Sequence, residues 1–399
     1  MKRFSFVLFT FMLVACINTP TMQKGSFGYD LVFLKTHHKD LVLLEDSSSD
    51  SKLIVLPAYQ GRIMTSTAEG LTGMSFGWIN HELIASKQIT PHIYAVGGEE
   101  RFWLGPEGGQ FSIYFKKDSA FDFEHWQVPK EIDTEPFELI AQSSTTASFK
   151  KVVHLKNYSG SSFDVGINRM IHLLNRDSLY QLIGDIDSSV RVVGFSSDNT
   201  ITNLSNNTWD EKYGMLSIWI LSMLNAGDET SIAIPYRSGS DIEFGRVVTD
   251  DYFGEVPSNR LKVTKDLILL KADAKYRSKI GISPKRAKPF AGSYDAKNNV
   301  LTIAFFSLPE GNQQYVNSLW EVQTDPFSGD AVNAYNDGPI SGKQMGKFYE
   351  IESSSPGAAL GPGESLSHQH TTIHLKGNKE QLEKISTKLF SVSLQEMIL

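Results

Sequence analysis

Short apolar runs, rich in β-branched and aromatic residues and set apart by polar turns, recur through most of this 399-residue chain. Runs of this kind bury one face of a pleated sheet and are too short for ordinary helices. Leu31–Leu34, Leu41–Leu44, Leu53–Leu56 and Gly61–Ser66 open the series, and Phe111–Phe115, Phe137–Ala141, Thr146–Leu155 and Phe163–Leu173 continue it. Further strands are expected at Leu179–Ile183, Leu216–Leu224, Ser231–Pro235, Leu267–Lys271, Val300–Phe306, Trp320–Thr324 and Gln369–Leu375. Two stretches read as helices: Glu82–Lys87, and Lys379–Leu389 with Leu382, Ile385 and Leu389 at helical spacing. The expected class is mainly β with few short helices, arranged as a large two-sheet sandwich. No fixed period emerges, which argues against a propeller or solenoid. No internal boundary stands out either, so residues 26–399 are read as a single domain.

The first residues follow a different grammar. Lys2 and Arg3 precede an unbroken apolar run from Phe4 to Val14, followed by Ala15 and Cys16. A charged start, an apolar stretch too short to span a bilayer and a small residue before the break mark an export signal. Cys16 stands where a bacterial lipoprotein signal places the thiol that becomes linked to diacylglycerol, and it is the chain's one cysteine. A lone cysteine can form no internal disulfide, so it is either incidental or the anchor, and its placement argues for the anchor. Residues 1–16 are therefore expected to be a lipoprotein signal ending in lipidated Cys16, with residues 17–25 as a tether. Removing the signal leaves roughly 380 residues, ample for a core. The body is expected to be membrane-held through lipid alone, on the periplasmic or cell-surface side of a bacterium.

The formal charge is −7 and no basic cluster follows the n-region. That balance speaks against nucleic acid and against an electrostatic membrane patch, and suits a small-molecule or carbohydrate ligand.

Three segments carry the residue types that chemistry needs. In Gly97–Gly109, glycines are interspersed with Arg101, Trp103 and Glu107. The segment reads as too irregular for one strand, and its glycines let a backbone approach a ligand closely. Glu107, between Pro106 and Gly108, suits a cleft; Arg101 can pair with it or bind hydroxyls. Asn333–Pro339 reads as a polar turn bearing Asn336 and Asp337, and beyond it Glu350 and Glu352 share a face if their segment is a strand. Two neighbouring carboxylates push one another's pKa apart, which suits a base beside an acid. His368, His370 and His374 project from one face of a strand, where they can serve the structure, hydrogen-bond a sugar or bind a divalent metal such as zinc. No serine-hydrolase elbow, phosphate loop, dinucleotide fingerprint or zinc-protease helix is present, and no cofactor is expected.

A resemblance joins these segments. Pro57-Ala58-Tyr59-Gln60-Gly61-Arg62, Gly97–Gly109, Trp209–Gly214, Ser217-Ile218-Trp219, Gly292-Ser293-Tyr294-Asp295, Asn333–Pro339 and Glu352–His374 resemble galactose mutarotase-like proteins, and within them a family of uncharacterised bacterial lipoproteins. The resemblance implies a large two-sheet β-supersandwich, a fold shared by aldose epimerases and non-catalytic sugar-binding domains. In aldose epimerases a carboxylate takes the anomeric hydroxyl proton while a histidine protonates the ring oxygen. Glu352, ahead of Gly361-Pro362-Gly363-Glu364, resembles that base, and Gly61-Arg62 resembles the stretch supplying a substrate-binding arginine. The acid-histidine stretch matches Asn199–Leu204, with Asn199 where the acid stands, and Val96 replaces a sugar-contacting histidine before Gly97-Gly98. An amide cannot protonate a ring oxygen, so an acid has to come from His368 or His370 on a neighbouring strand.

Three readings follow. The first is a lipid-anchored carbohydrate-binding or carbohydrate-processing protein, its cleft lined by Arg62, Arg101, Trp103, Glu107, Asn336, Asp337 and Glu352. The second is an aldose 1-epimerase-like isomerase with Glu352 as base, which requires a Glu–His approach within hydrogen-bond reach. The third is a structural or assembly lipoprotein without a ligand, which requires a plugged cleft.

Overall fold

The computed structural model describes residues 22–311 and 313–399; the expected lipoprotein signal, Cys16 and most of the expected tether lie outside the described residues. The fold is mainly β, with three sheets and few short helices. The largest sheet has ten strands, ordered Leu261–Val263, Leu267–Lys271, Thr230–Pro235, Phe290–Asp295, Val300–Phe306, Ser365–Lys376, Arg191–Asn203, Ser162–Leu173, Thr146–Lys156 and Glu138–Gln142. The second has six: Ser278–Ile282, Val332–Asn336, Phe348–Ser354, Ser217–Leu221 and Arg101–Gly105 in order, with Leu224–Asn225 also paired to Phe348–Ser354. Val42–Glu45, Lys52–Leu56 and Arg62–Thr67 form the third.

Period-two alternation sets how these sheets pack, because each strand sends alternate side chains to opposite faces. Phe149, Val165, Ile167, Phe195 and Ile201 of the ten-stranded sheet meet Phe102, Leu104, Ile218 and Ile220 of the six-stranded sheet. Further along, Ile232, Ile234, Ile268 and Leu270 meet Ile280, Ala334 and Ile351. The outer face of the larger sheet is covered by helices Arg176–Ile183 and Lys379–Phe390, whose Leu179, Ile183, Leu382, Ile385 and Phe390 pack on Leu269, Leu301, Ile303, Ile373 and Leu375. Among the described residues no helix is long and apolar enough to cross a membrane.

Several elements differ from the sequence expectation. Leu31–Leu34 belongs to helix Phe27–His37, where Ser26 accepts from the Tyr29 N–H and Phe27, Leu31 and Leu34 form one buried stripe. Leu179–Ile183 is the second half of a helix capped by Asn175. Phe111–Phe115 and Trp320–Thr324 are loops rather than strands. Their rings pack edge to face instead, Phe115 on Trp320 at 5.2 Å. Asn333–Pro339 is not simply a turn, since Val332–Asn336 is a fully buried strand. Gly97–Gly109 likewise contains the strand Arg101–Gly105.

The space between the large sheets also holds a polar layer. Arg169 donates to Glu100 at 2.7 Å, to Asn199 Oδ1 at 2.6 Å and to the Gly61 carbonyl at 3.1 Å. His374 bonds Glu99 Oε1 at 2.7 Å and Thr302 Oγ1 at 2.9 Å, with Phe76 stacked on its ring. Charges buried this deeply persist only when paired and hydrogen-bonded.

Candidate functional site: a charged cleft on the six-stranded sheet

With Phe102, Leu104, Ile218, Ile220 and Ile351 turned into the core, the alternate positions of the same strands face outward. Arg101 and Trp103, Trp219 and Leu221, Glu350 and Glu352, Tyr335 and Lys279 thereby form the floor of one cleft. Glu107 and Arg277 join them, as do the loop residues Trp126 and Trp320. The cleft is a narrow slot with about 550 Å³ of empty space including its mouth. Its floor is buried, with Glu352 1% and Lys279 5% exposed, while the rim residues Phe123, Phe253 and Met345 are exposed.

Charge pairing organises the floor. Arg101 Nη2 donates to Glu350 Oε1 at 2.8 Å and lies 4.1 Å over the Trp103 ring. Lys279 Nζ is 3.3 Å from Glu352 Oε2, 3.9 Å from Glu107 Oε2 and 4.6 Å over the Trp219 ring. Trp219 Nε1 donates to the same Glu352 oxygen at 2.9 Å. Burial pushes the Glu350 carboxyl up to about 8, with Arg101 pulling it down and Glu352 pushing it further up. Burial also raises Glu107, against the pull of Lys279. Burial alone lowers the Lys279 ammonium, but Glu352, Glu107 and Glu350 outweigh it and hold the pKa above the ordinary value.

These pairs leave polar atoms over. Glu352 Oε1, Arg101 Nε, Arg277 Nε, Trp103 Nε1 and Trp126 Nε1 are enclosed with no hydrogen-bond partner. Each such atom costs about 1–3 kcal/mol when left unsatisfied.

Of the residues singled out in the sequence, Arg101, Trp103, Glu107 and Glu352 line the cleft, together with Glu350. Arg62 does not. Its guanidinium is buried, donates to the Gly97 carbonyl and Gln60 Oε1 at 2.9 Å each, and lies over Tyr59. Burial, reinforced by the Arg101 charge, lowers its pKa to about 10. The neighbouring glycines serve this packing rather than a ligand, for a Cβ at Gly98 would sit 2.5 Å from Arg62 Cδ. Asn336 and Asp337 are also turned away from the cleft. Asn336 accepts from the Ala274 N–H at 2.9 Å and donates to the Tyr276 carbonyl at 2.8 Å. Asp337 accepts from the Tyr335 hydroxyl at 2.7 Å and the Gly346 N–H at 2.9 Å, tying down the loop after its strand.

The histidines share one face, as their spacing requires, but it is the inner one. His368 Nε2 and His370 Nδ1 each lie 2.8 Å from Ser353 Oγ. Ser353 and Glu352 are adjacent on one strand and so face opposite ways, which puts the sheet itself between the imidazoles and the cleft. The expected Glu–His approach is absent: Glu352 meets Trp219 and Lys279 instead. Burial pushes both imidazoles down to about 3, which keeps them neutral. His374 is engaged with Glu99, and among the described residues no three His, Cys, Asp or Glu side chains are grouped as metal ligands. Asn199 is bonded to Arg169 in the polar layer.

Lys279 and Arg277 escaped the sequence reading. Their signal was the alternation Arg277-Ser278-Lys279-Ile280, with cations at period two entering an apolar strand.

Solved structures with similar folds include the Slr1438 protein of Synechocystis sp. PCC 6803, at a TM-score of 0.50 and 14% identity over 85% of this chain and 96% of that one. A galactose mutarotase-like protein from Lactobacillus casei aligns at 0.47 and 9%, over 84% and 99% of the two chains. A galactose mutarotase related enzyme from Lactobacillus acidophilus aligns at 0.46 and 10%, over 84% and 97%. At such identities the likeness is one of fold. No curated protein sequence matches the chain. The model of the family of unknown function DUF6786 matches residues 25–398, and the chain belongs to that family.

Proposed function

We propose that this protein binds a carbohydrate in the cleft on the outer face of its six-stranded sheet. The observation that carries the reading is the meeting, in one slot, of Trp103, Trp126, Trp219 and Trp320 with the charged side chains of Arg101, Glu107, Arg277, Lys279, Glu350 and Glu352. A sugar ring offers apolar C–H faces and a rim of hydroxyls. Aromatic rings take the first, while carboxylates and guanidinium groups take the second. The sequence resemblance to galactose mutarotase-like proteins supports the same reading, and the pattern ending at Cys16 supports a lipid-held, extracytoplasmic location.

One observation favours turnover in addition. Glu350, whose carboxyl burial pushes up to about 8, neighbours Glu352 on the same face, so a group able to hold a proton stands beside a second carboxyl group. On this second reading Glu352 takes the anomeric hydroxyl proton, a cleft carboxylic acid protonates the ring oxygen, and the C1–O5 bond opens to the aldehyde. Ring closure returns both protons.

The test is thermal-shift stabilisation of the purified protein by a panel of mono- and oligosaccharides, followed by anomer exchange measured by NMR on any sugar that binds. Binding must raise the apparent stability. A flat panel across neutral and charged sugars refutes carbohydrate binding. Anomer exchange abolished by Glu352→Gln, with binding retained, establishes turnover.

A further inference from the structure

Resting on carbohydrate binding in this cleft, we propose that the ligand is an acidic sugar whose carboxylate is held by Arg277. The other two cleft cations have carboxylates of their own: Glu350 for Arg101, and Glu352 and Glu107 for Lys279. Arg277 has none within ion-pair distance among the described residues, and its Nε is enclosed without a partner. Asp337 and Glu107 feel its charge from further off. Both Asp337 oxygens are committed, to the Tyr335 hydroxyl and the Gly346 N–H, and Glu107 is turned to Lys279.

The guanidinium is also held ready. Its Cζ lies 3.6 Å from the Phe253 ring centroid, a cation–π contact that fixes the plane and leaves the donor fork free for a planar anion. Arg277 stands two positions before Lys279, roughly 6–7 Å along the chain at strand rise, so a carboxylate on Arg277 and a ring at the Lys279–Glu352 pair fit one sugar unit. A neutral sugar filling the slot strips water from this guanidinium and returns no counter-charge, a loss that a uronic acid reverses.

Calorimetric titration of the purified protein with glucuronate, galacturonate and short oligogalacturonides, against glucose, galactose and glucose 6-phosphate, tests this. Acidic sugars are expected to bind at least about tenfold tighter than their neutral counterparts, with the preference shrinking as salt rises. Arg277→Gln is expected to erase the preference by bringing uronate affinity down to that of the neutral sugar, and Arg277→Lys to keep part of it, with both variants confirmed folded by circular dichroism. Neutral sugars binding as tightly as uronates, or a preference that survives Arg277→Gln, overturns the assignment and leaves carbohydrate binding standing. Preference for the phosphate overturns the carboxylate. Failure of every sugar to bind overturns the carbohydrate reading itself.

Discussion

Lys279→Met tests whether one shared cation holds the cleft together. The ammonium lies 3.3 Å from Glu352 and 3.9 Å from Glu107, in a floor where Lys279 is 5% and Glu352 1% exposed. Methionine keeps an unbranched stem against Trp219, so the charge is the main loss. Breaking a buried ion pair from one side costs about 3–5 kcal/mol, because the remaining charge stays buried and uncompensated. At the usual unfolding entropy per residue, a chain of this size loses about 1–1.5 °C of Tm per kcal/mol, which gives a fall of about 4–7 °C near pH 8. The pH dependence has a definite sign. Burial already raises Glu107, and without the Lys279 charge that pulls it down its folded pKa stands further above that of the unfolded chain. Such a group destabilises the fold when ionised and is relieved as pH falls towards about 4.3, so the deficit should shrink between pH 8 and pH 5. Scanning calorimetry of both proteins across that range reads the effect, and adding Glu352→Gln should recover part of the loss. A deficit below about 1 kcal/mol, the scale of an exposed pair, or one that is flat with pH refutes the reasoning.

Glu350 predicts a trend in the unaltered protein: with its folded pKa raised from 4.5 to about 8, the native state holds a proton that the unfolded chain releases, so stability falls as pH rises through that window. Denaturant melts from pH 5 to 9 should show the slope, and Glu350→Gln should reduce it. Ser353→Ala strips the shared hydroxyl from His368 and His370 and should cost about 1–3 kcal/mol by urea melts while cleft binding is unchanged. Loss of ligand affinity in that variant would mean the imidazoles act on the cleft after all. Trp219→Phe removes the Glu352 donor and the larger ring face, and should weaken sugar binding by about tenfold in fluorescence titration.

The sandwich was legible because its strands repeat one physical rule. Leu267–Lys271 and Val300–Phe306 are found at the residues expected, and helix Lys379–Phe390 ends one residue beyond the expected Leu389. Leu31–Leu34 misled because four apolar residues fit either period, and the deciding signal was the Ser26 cap before them. In the site, Glu350 and Glu352 were readable as a pair from their spacing alone. Arg62 was not readable as buried, since nothing local distinguishes an arginine that meets Gly97 from one that meets a ligand. The histidine face was correct in period and silent about side: alternation says which residues go together, but which sheet face is the core depends on pairing with distant strands.

The burial of the imidazoles on the inner face constrains how this cleft can change over time. His368 and His370 lie beneath the strand that carries Glu352, bonded to Ser353 on its reverse. No rotamer change can carry an imidazole through a hydrogen-bonded sheet, and shifting the strand by one residue would turn every outward charge inward at once. A lineage needing a histidine acid beside Glu352 would gain it more readily by a point substitution at an outward position such as Leu221, the Glu352 cross-strand partner, than by recruiting the two imidazoles already nearby.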